Sequence, residues 1–374
     1  SQENLKQARD VIESLQLVEI DNFFRDACLD AKPVNIDEID DTSAIFYTII
    51  LPDRLEVIVT LPGQPLRQIT TNLPKTEIEK QLDGAKTNIT QTNLSEPDEK
   101  KNLQKIHDWL ITPIETELAN SNIDTLVFIP DGALGNLPIS ALYDGERYLI
   151  EKYSIAIAPS LQLIDSQALA RQNVSALIAG LSKDSPDHPD FVRLTKVKKE
   201  LENIKDQVPS SILLNQDFTE SNFKTEVNSS PYKVVHLATH GQFSSVAEDT
   251  FLLTWDKKID IDDLDNIIRD DQKQKNPIEL LVLSACETAA GDPKAALGLA
   301  GIAVRAGARS TLASLWAVND GSTAELMTHF YEKLVQGKVS KAEALRQAQL
   351  ELLQTEDFNR PYYWSAFILL GNWL

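Results

Sequence analysis

Short runs of buried-type residues alternate with helical stretches from residue 123 onward, and this alternation most constrains the fold. Each run has three to five residues, mostly Val, Ile, Leu and Ala, which is typical of buried strands. The runs are Leu126–Ile129, Ser154–Ala158, Ala176–Ala179, Ile212–Leu214, Val234–Ala238, Leu280–Leu283, Thr311–Leu315 and Phe367–Leu370. Strands that alternate with helices predict an α/β domain with a mainly parallel sheet.

The residues before 123 predict helices and one hairpin. Helical spacing covers residues 3–30, with a break near Glu19 to Asp21. Two β runs, Ala44–Leu51 and Leu55–Leu61, are joined by the turn-forming Pro52-Asp53 and predict a β-hairpin. Helical spacing then returns. We therefore predict three parts: a helical linker at 1–42, a hairpin and helical part at 43–122, and the α/β domain at 123–374.

Composition narrows the possible partners. The chain has 374 residues, with 36 Lys and Arg against 56 Asp and Glu, a formal charge of -20. Such a surface repels phosphate backbones and anionic lipid, so direct nucleic-acid binding and membrane binding are not expected. A high negative charge can also serve only to keep the protein soluble. Because the two cysteines, Cys28 and Cys286, form no disulfide framework or metal-spaced cluster, we expect a reducing compartment such as the cytoplasm.

Two of the predicted strands end in residues that can carry chemistry. Leu280–Leu283 leads to Cys286 within ELLVLSACETAAGD, and Val234–Ala238 leads to His240-Gly241 within KVVHLATHGQF. Sites in α/β sheets form at the carboxyl ends of strands. Adjacent strands would place a thiol and an imidazole at one sheet edge, which is the arrangement of a cysteine nucleophile with its base.

Less specific interpretations of these residues remain open. A free cysteine is most often a small buried hydrophobe, and a histidine at a strand end is more often a hydrogen-bonded structural residue. His236 shares the face of His240 by strand alternation, so a metal site of His236, His240 and Cys286 is conceivable, although no fourth ligand has suitable spacing.

Several long motifs resemble those of the CHAT family, a group of caspase-like modules usually found behind tetratricopeptide repeats. They are LVFIPDGALGNLPISAL, HLATHGQF, LLVLSACETAAGD, GLAGIAVRAGARSTLASLWAVNDGSTAELMTHFYEKL and RPYYWSAFILLGNW, in that order over roughly residues 120–374. The resemblance implies a caspase-like α/β fold, in the clan of cysteine peptidases that caspases share with separases. The caspase signature Gln-Ala-Cys is Ser-Ala-Cys here.

The resemblance assigns roles to particular residues. It implies His240 as general base, Cys286 as nucleophile, and the backbone N–H groups of Gly241 and Cys286 as the oxyanion hole. By similarity to separase-like proteins, Asp320 would lie in the S1 pocket and read Arg or Lys at P1, with Trp316 as a pocket wall. Asp320 could instead cap the helix that begins there, although Ser322 with Glu325 would form a capping box without it.

The resemblance implies a cytoplasmic bacterial endopeptidase that cleaves protein or peptide substrates and needs no metal or organic cofactor. Only Glu287–Lys294 separates the cysteine from the next predicted helix, Ala295–Ala308, which is short for a cleavage loop. We therefore expect activation by a conformational change, transmitted from an upstream tetratricopeptide region or a partner, with the first helices as the remnant of that connection. The alternative is a catalytically silent caspase-like scaffold, which would be expected to lose one of the two motifs.

Overall fold

A computed structural model describes residues 1–24, 40–91, 96–164, 174–268, 277–284, 286–288, 307–336 and 339–374. The chain divides into two compact units, Ser1–Ser166 and Gln167–Leu374. The predicted boundary at residue 123 thus falls inside the first unit. The strand that follows it, Thr125–Ile129, pairs in parallel with Ser43–Ile50 and so belongs with the hairpin. The predicted helix Ala295–Ala308 lies almost wholly outside the described residues.

The first unit contains a five-stranded portion of sheet within its described residues, in the order β3-β2-β1-β4-β5. Its elements are α1 (Gln2–Phe24), β1 (Ser43–Ile50), β2 (Leu55–Thr60), β3 (Arg67–Thr71), α2 (Lys75–Thr90), α3 (Glu96–Leu110), α4 (Glu115–Ala119), β4 (Thr125–Ile129) and β5 (Ser154–Ile157). The β1–β2 pairing is antiparallel, which confirms the predicted hairpin. The pairings β1–β4 and β4–β5 are parallel.

The predicted break in the first helix is wrong, because α1 continues through Glu19 to Asp21. Ile12, Gln16 and Ile20 are all buried. Their spacing of four residues keeps one stripe of the helix facing the protein, so adjacent polar residues do not end it.

The second unit carries the sequence motifs. Its elements are β6 (Ala176–Gly180), α5 (Val197–Lys205), β7 (Ser210–Leu214), α6 (Glu220–Ser229), β8 (Val234–Ala238), β9 (Gly241–Phe243), β10 (Phe251–Leu253), β11 (Lys258–Asp260), α7 (Ile261–Ile268), β12 (Leu280–Leu283), β13 (Cys286–Thr288), β14 (Ser310–Ser314), α8 (Asp320–Gln336), α9 (Lys341–Leu353), α10 (Pro361–Trp364) and β15 (Phe367–Gly371). The main-sheet order is β15-β14-β12-β8-β6-β7.

All pairings in that order are parallel except β14–β15, which is antiparallel. Residues of β6, β8 and β12 are buried throughout. Burial on both faces requires apolar residues at successive positions, which is why these strands appear in the sequence as continuous apolar runs. Together with the flanking helices, this sheet confirms the predicted α/β architecture.

A second, smaller sheet lies at the carboxyl ends of two central strands. Its order is β11-β10-β9-β13. The chain leaves β8 and enters β9 after Thr239-His240, and it leaves β12 and enters β13 at Cys286. The small sheet therefore receives both sequence motifs directly from adjacent strands of the main sheet.

Candidate active site

The backbone of Cys286 is aligned with the residue that follows His240. β9 and β13 pair in parallel, with Cys286 opposite Gly241, Glu287 opposite Gln242, and Thr288 opposite Phe243. The strands that precede them are also parallel neighbours, with Leu283 opposite Leu237. Main-chain pairing thus places the Cys286 backbone beside the His240-Gly241 peptide.

The imidazole of His240 is held by the segment that precedes α5. Its Nε2 lies 2.5 Å from the backbone oxygen of Val192, and its ring centroid lies 5.3 Å from that of Phe191. A carbonyl oxygen only accepts hydrogen bonds, so Nε2 carries the proton in this contact. In a neutral imidazole Nδ1 is then unprotonated, and a nitrogen in that state can serve as a general base.

A cleft with a volume of about 360 Å³ opens beside His240. Asp190, Glu200 and Asp320 contribute carboxylates to its lining. Among the described residues, no Lys or Arg side chain lines it. The other lining residues are Phe191, Val192, Leu194, Val197, Gly241, Gln242, Phe251, Ser284, Ala317, Val318 and Thr323. The cleft therefore suits a ligand that carries positive charge.

Asp320 lines the cleft and also holds the start of α5. Its Oδ2 accepts hydrogen bonds from the Lys196 backbone N–H at 2.6 Å and from Thr195 Oγ1 at 3.2 Å. The cap of α8, the helix that begins at Asp320, is the side chain of Asn319, whose Oδ1 accepts from the N–H groups of Gly321 and Ser322.

The predicted capping box of Ser322 with Glu325 is wrong. The Ser322 hydroxyl lies inside the first turn and donates to the Asn319 backbone oxygen at 2.9 Å. Glu325 is exposed. Asn319 precedes both residues and occupies the capping position, so neither Ser322 nor Asp320 is needed there.

Trp316 and His236 lie in the interior of the unit. Trp316 is buried and donates its indole N–H to the Tyr362 backbone oxygen at 3.2 Å, while its neighbours Ala317 and Val318 line the cleft. His236 contacts Tyr331 Oη through Nδ1 at 3.1 Å and Glu200 Oε1 through Nε2 at 2.9 Å. Both nitrogens of His236 are therefore engaged with protein groups, which argues against the alternative of a metal site.

Comparison with known families decides the family of this chain. The model of the CHAT domain matches residues 100–372, well over half of the sequence.

The chain belongs to the CHAT domain family.

None of the curated protein sequences matches this CHAT domain. Among solved structures, the Saccharomyces cerevisiae separase-securin complex is similar with a TM-score of 0.56 and 12% sequence identity. The similarity covers 90% of this chain but 30% of the chain that it matches. At this identity, the similarity shows the fold and leaves the chemistry to be argued from the residues.

Two further structures are similar with lower scores. Gingipain R, an Arg specific cysteine proteinase, has a TM-score of 0.45 and 9% identity over 80% of this chain and 74% of its own. Caspase-1 from Spodoptera frugiperda has a TM-score of 0.35 and 11% identity over 54% of this chain and 88% of its own.

The sequence did not reveal that the segment before α5 forms a wall of the cleft. The polar run Ser182–Asp190 (SKDSPDHPD) alone predicts a solvated loop. In the CHAT domain the Ser182 N–H donates to Asn215 Oδ1 at 2.8 Å, and Ser185 Oγ donates to the Trp255 backbone oxygen at 2.6 Å. His188 Nε2 lies 2.9 Å from the Thr254 backbone oxygen. The one available signal was the apolar pair Phe191-Val192 at the end of a polar stretch.

Glu200 is a further lining residue that the sequence analysis did not single out. It lies on the buried face of α5 together with Val197, Leu201 and Ile204. A carboxylate placed within the apolar repeat of an amphipathic helix is a signal that can be seen in the sequence.

Proposed function

We propose that this CHAT domain is a cysteine endopeptidase that uses Cys286 as nucleophile and His240 as general base. The observation that carries the proposal is the backbone pairing of Cys286 with Gly241, next to a histidine whose Nδ1 is available as a base. A thiol with an ordinary pKa of about 8.5 is mostly protonated at neutral pH and needs such a neighbour to become an effective nucleophile.

The proposed reaction has two halves. Nδ1 of His240 accepts the thiol proton, and the sulfur attacks the scissile carbonyl carbon to give a tetrahedral oxyanion. Backbone N–H groups of Gly241 and Cys286 would stabilise this oxyanion; one such donor is typically worth ~10²–10³ in rate. The C–N bond then breaks, His240 returns the proton to the leaving amine, and water hydrolyses the resulting thioester.

The proposed specificity is for Arg or Lys at P1. Its support is the composition of the cleft, where the described lining has three carboxylates and no cationic side chain. Asp320 is the P1-reading residue that the resemblance implies, and it lies in this lining. Trp316, the pocket wall that the resemblance implies, is buried, and its neighbours Ala317 and Val318 line the cleft.

The proposed control is a conformational change caused by a protein partner or by a tetratricopeptide region. Its support is that the similar Saccharomyces cerevisiae separase structure is a complex with securin. The predicted short connection after the cysteine falls largely outside the described residues, so this part of the proposal rests on the sequence.

The test is the pH dependence of alkylation at Cys286, which needs neither a substrate nor an activator. In a Cys28→Ala background, Cys286 is the only thiol, and modification by iodoacetamide can be followed by intact-mass spectrometry. We expect alkylation to persist well below pH ~8.5 and to shift up to that value in His240→Ala. His188→Ala is the matched control, because His188 also contacts a backbone oxygen and packs near Phe191.

Identical profiles with and without His240 would contradict the dyad and would favour a catalytically silent scaffold. A second readout is covalent labelling of Cys286 by an electrophilic peptide with Arg, Lys or Asp at P1. Preference for Asp would contradict the proposed basic specificity.

A further inference from the structure

Glu200 is a buried carboxylate in the cleft, and no Lys or Arg of the described residues pairs with it. Glu200 is 1% exposed, yet it lines the same cleft as His240. Burial of a carboxylate is costly unless hydrogen bonds or a cation compensate for the lost hydration. The presence of Glu200 at this point therefore calls for a structural or a functional reason.

A hydrogen bond within the protein accounts for one of the two carboxylate oxygens of Glu200. His236 Nε2 lies 2.9 Å from Glu200 Oε1, and His236 Nδ1 lies 3.1 Å from Tyr331 Oη. Burial, assisted by the nearby charge of Glu200, raises the pKa of Tyr331 well above its ordinary value, so the hydroxyl keeps its proton and donates to Nδ1. Within the described residues, no hydrogen bond reaches Glu200 Oε2.

A second buried polar group without a partner faces the same cleft. Ser284 is 1% exposed and lines the cleft, and its Oγ has no hydrogen-bond partner among the described residues. Val282 is in register with His236, and Ser284 follows the end of β12, where its backbone N–H donates to the Leu237 backbone oxygen at 3.0 Å. A buried hydroxyl without a partner is costly, and its presence in a cleft marks a position where a ligand can supply the missing hydrogen bond.

We propose that Glu200 and Ser284 together bind the cationic head group of the P1 side chain at the floor of the cleft. This inference rests on the proposed function and adds its specificity-determining residues. A guanidinium has five N–H donors, enough to satisfy a carboxylate oxygen and a hydroxyl at once. Asp320 is less available for this role, because Lys196 and Thr195 already donate to its Oδ2.

The test compares two non-reactive peptide amides that differ only in Arg or citrulline at P1. Citrulline keeps the shape of Arg and removes its charge. The measurement is protection of Cys286 from iodoacetamide, in the Cys28→Ala background, as a function of peptide concentration. We expect the Arg peptide to bind more tightly than the citrulline peptide, and Glu200→Gln to lower that ratio by about 30-fold or more. For Ser284→Ala we expect a reduction of roughly 10-fold.

Glu202→Gln is the matched control on the same helix, because Glu202 is exposed and, among the described residues, its carboxylate pairs only with Lys198. The ratio of Arg to citrulline peptide affinity in Glu202→Gln should equal that of wild type. If Glu200→Gln weakens both peptides equally, or if wild type does not distinguish them, the inference is overturned. If Glu200→Gln lowers the melting temperature severely, the test rests on Ser284→Ala. An unchanged ratio of Arg to citrulline peptide affinity in Ser284→Ala then overturns the inference. If alkylation of Cys286 is the same with and without His240, the proposed dyad fails. Protection by the peptides still measures binding in the cleft in that case, so failure of the dyad and failure of the Glu200–Ser284 site can be told apart.

Discussion

Gly180 is the position where one added methyl group should reach the candidate site from a distance. It ends β6 and lies opposite Ala238, the last residue of β8. A Cβ at this position would lie 2.7 Å from the Ala238 backbone oxygen and 2.7 Å from Val197 Cγ1. Neither contact is tolerable, and one of the two atoms belongs to the main chain, so relief requires a shift of β8 or of α5.

We expect Gly180→Ala to cost about 1–3 kcal/mol, the usual range for overpacking of a well-packed interior. For a unit of about 200 residues, about 2–4 °C per kcal/mol then gives a decrease in melting temperature of roughly 2–12 °C. The effect should also reach the chemistry, because α5 carries Glu200 and β8 leads to His240. Cys286 alkylation should therefore lose part of its His240 dependence in this variant.

The matched control is the same substitution at Gly84 in α2. The atom nearest to an added Cβ there is Nδ2 of Asn102, at 2.5 Å, and this is the end of a side chain that can rotate away. Ala is favoured over Gly within a helix by roughly 0.5–1 kcal/mol, so Gly84→Ala should be neutral or stabilising. Differential scanning calorimetry of both variants measures the effect. If both substitutions change the melting temperature by the same sign and size, the space around each glycine does not determine the effect, and the reasoning is refuted.

Two further predictions concern pH. Burial raises the pKa of Asp144, but hydrogen bonds from Lys152 and from the N–H groups of Arg147 and Glu146 outweigh it and lower the pKa to about 2. The stability that the Asp144 carboxylate contributes is present above its ordinary pKa of about 4 and is lost as the pH falls towards 2. Asp144→Asn should therefore make the melting temperature depend less on pH between these two values. For Glu13, burial raises the pKa and outweighs hydrogen bonds from Ser160 and Leu161, so wild type should lose stability as the pH rises through this raised pKa. Glu13→Gln should therefore gain stability relative to wild type as the pH rises above the ordinary Glu pKa of 4.5, and a constant difference between their melting temperatures would contradict this.

The sequence predicted the main sheet because its strands are buried on both faces. Val234–Ala238 and Leu280–Leu283 appear in the structure with the predicted bounds, and the remaining strands differ by one or two residues at their ends. The small sheet was not predicted. β9, β10, β11 and β13 have three residues each, which is too short for an alternating pattern to emerge. The motifs suggested which residues meet, and the short strands supply the register in which their backbones meet.

The polar lining of the cleft could not be predicted from the sequence for a different reason. Glu200, Ser284 and Asp320 come from three separate parts of the chain, and only the packing of α5 against the sheet brings them to one cavity. In the case of Asp320, the sequence suggested two roles and missed a third. Its bond to the Lys196 N–H depends on a contact between residues far apart in sequence.

The alignment of Cys286 with Gly241 is made by main-chain pairing across a ladder of three residue pairs. Main-chain hydrogen bonds are available to nearly every residue type, so the surrounding side chains can change freely without moving these two backbones. A fold that aligns two backbones in this way can diverge until little sequence identity remains and still keep them aligned. The same ladder is short, so separation of three residue pairs would end the alignment while the main sheet stays intact.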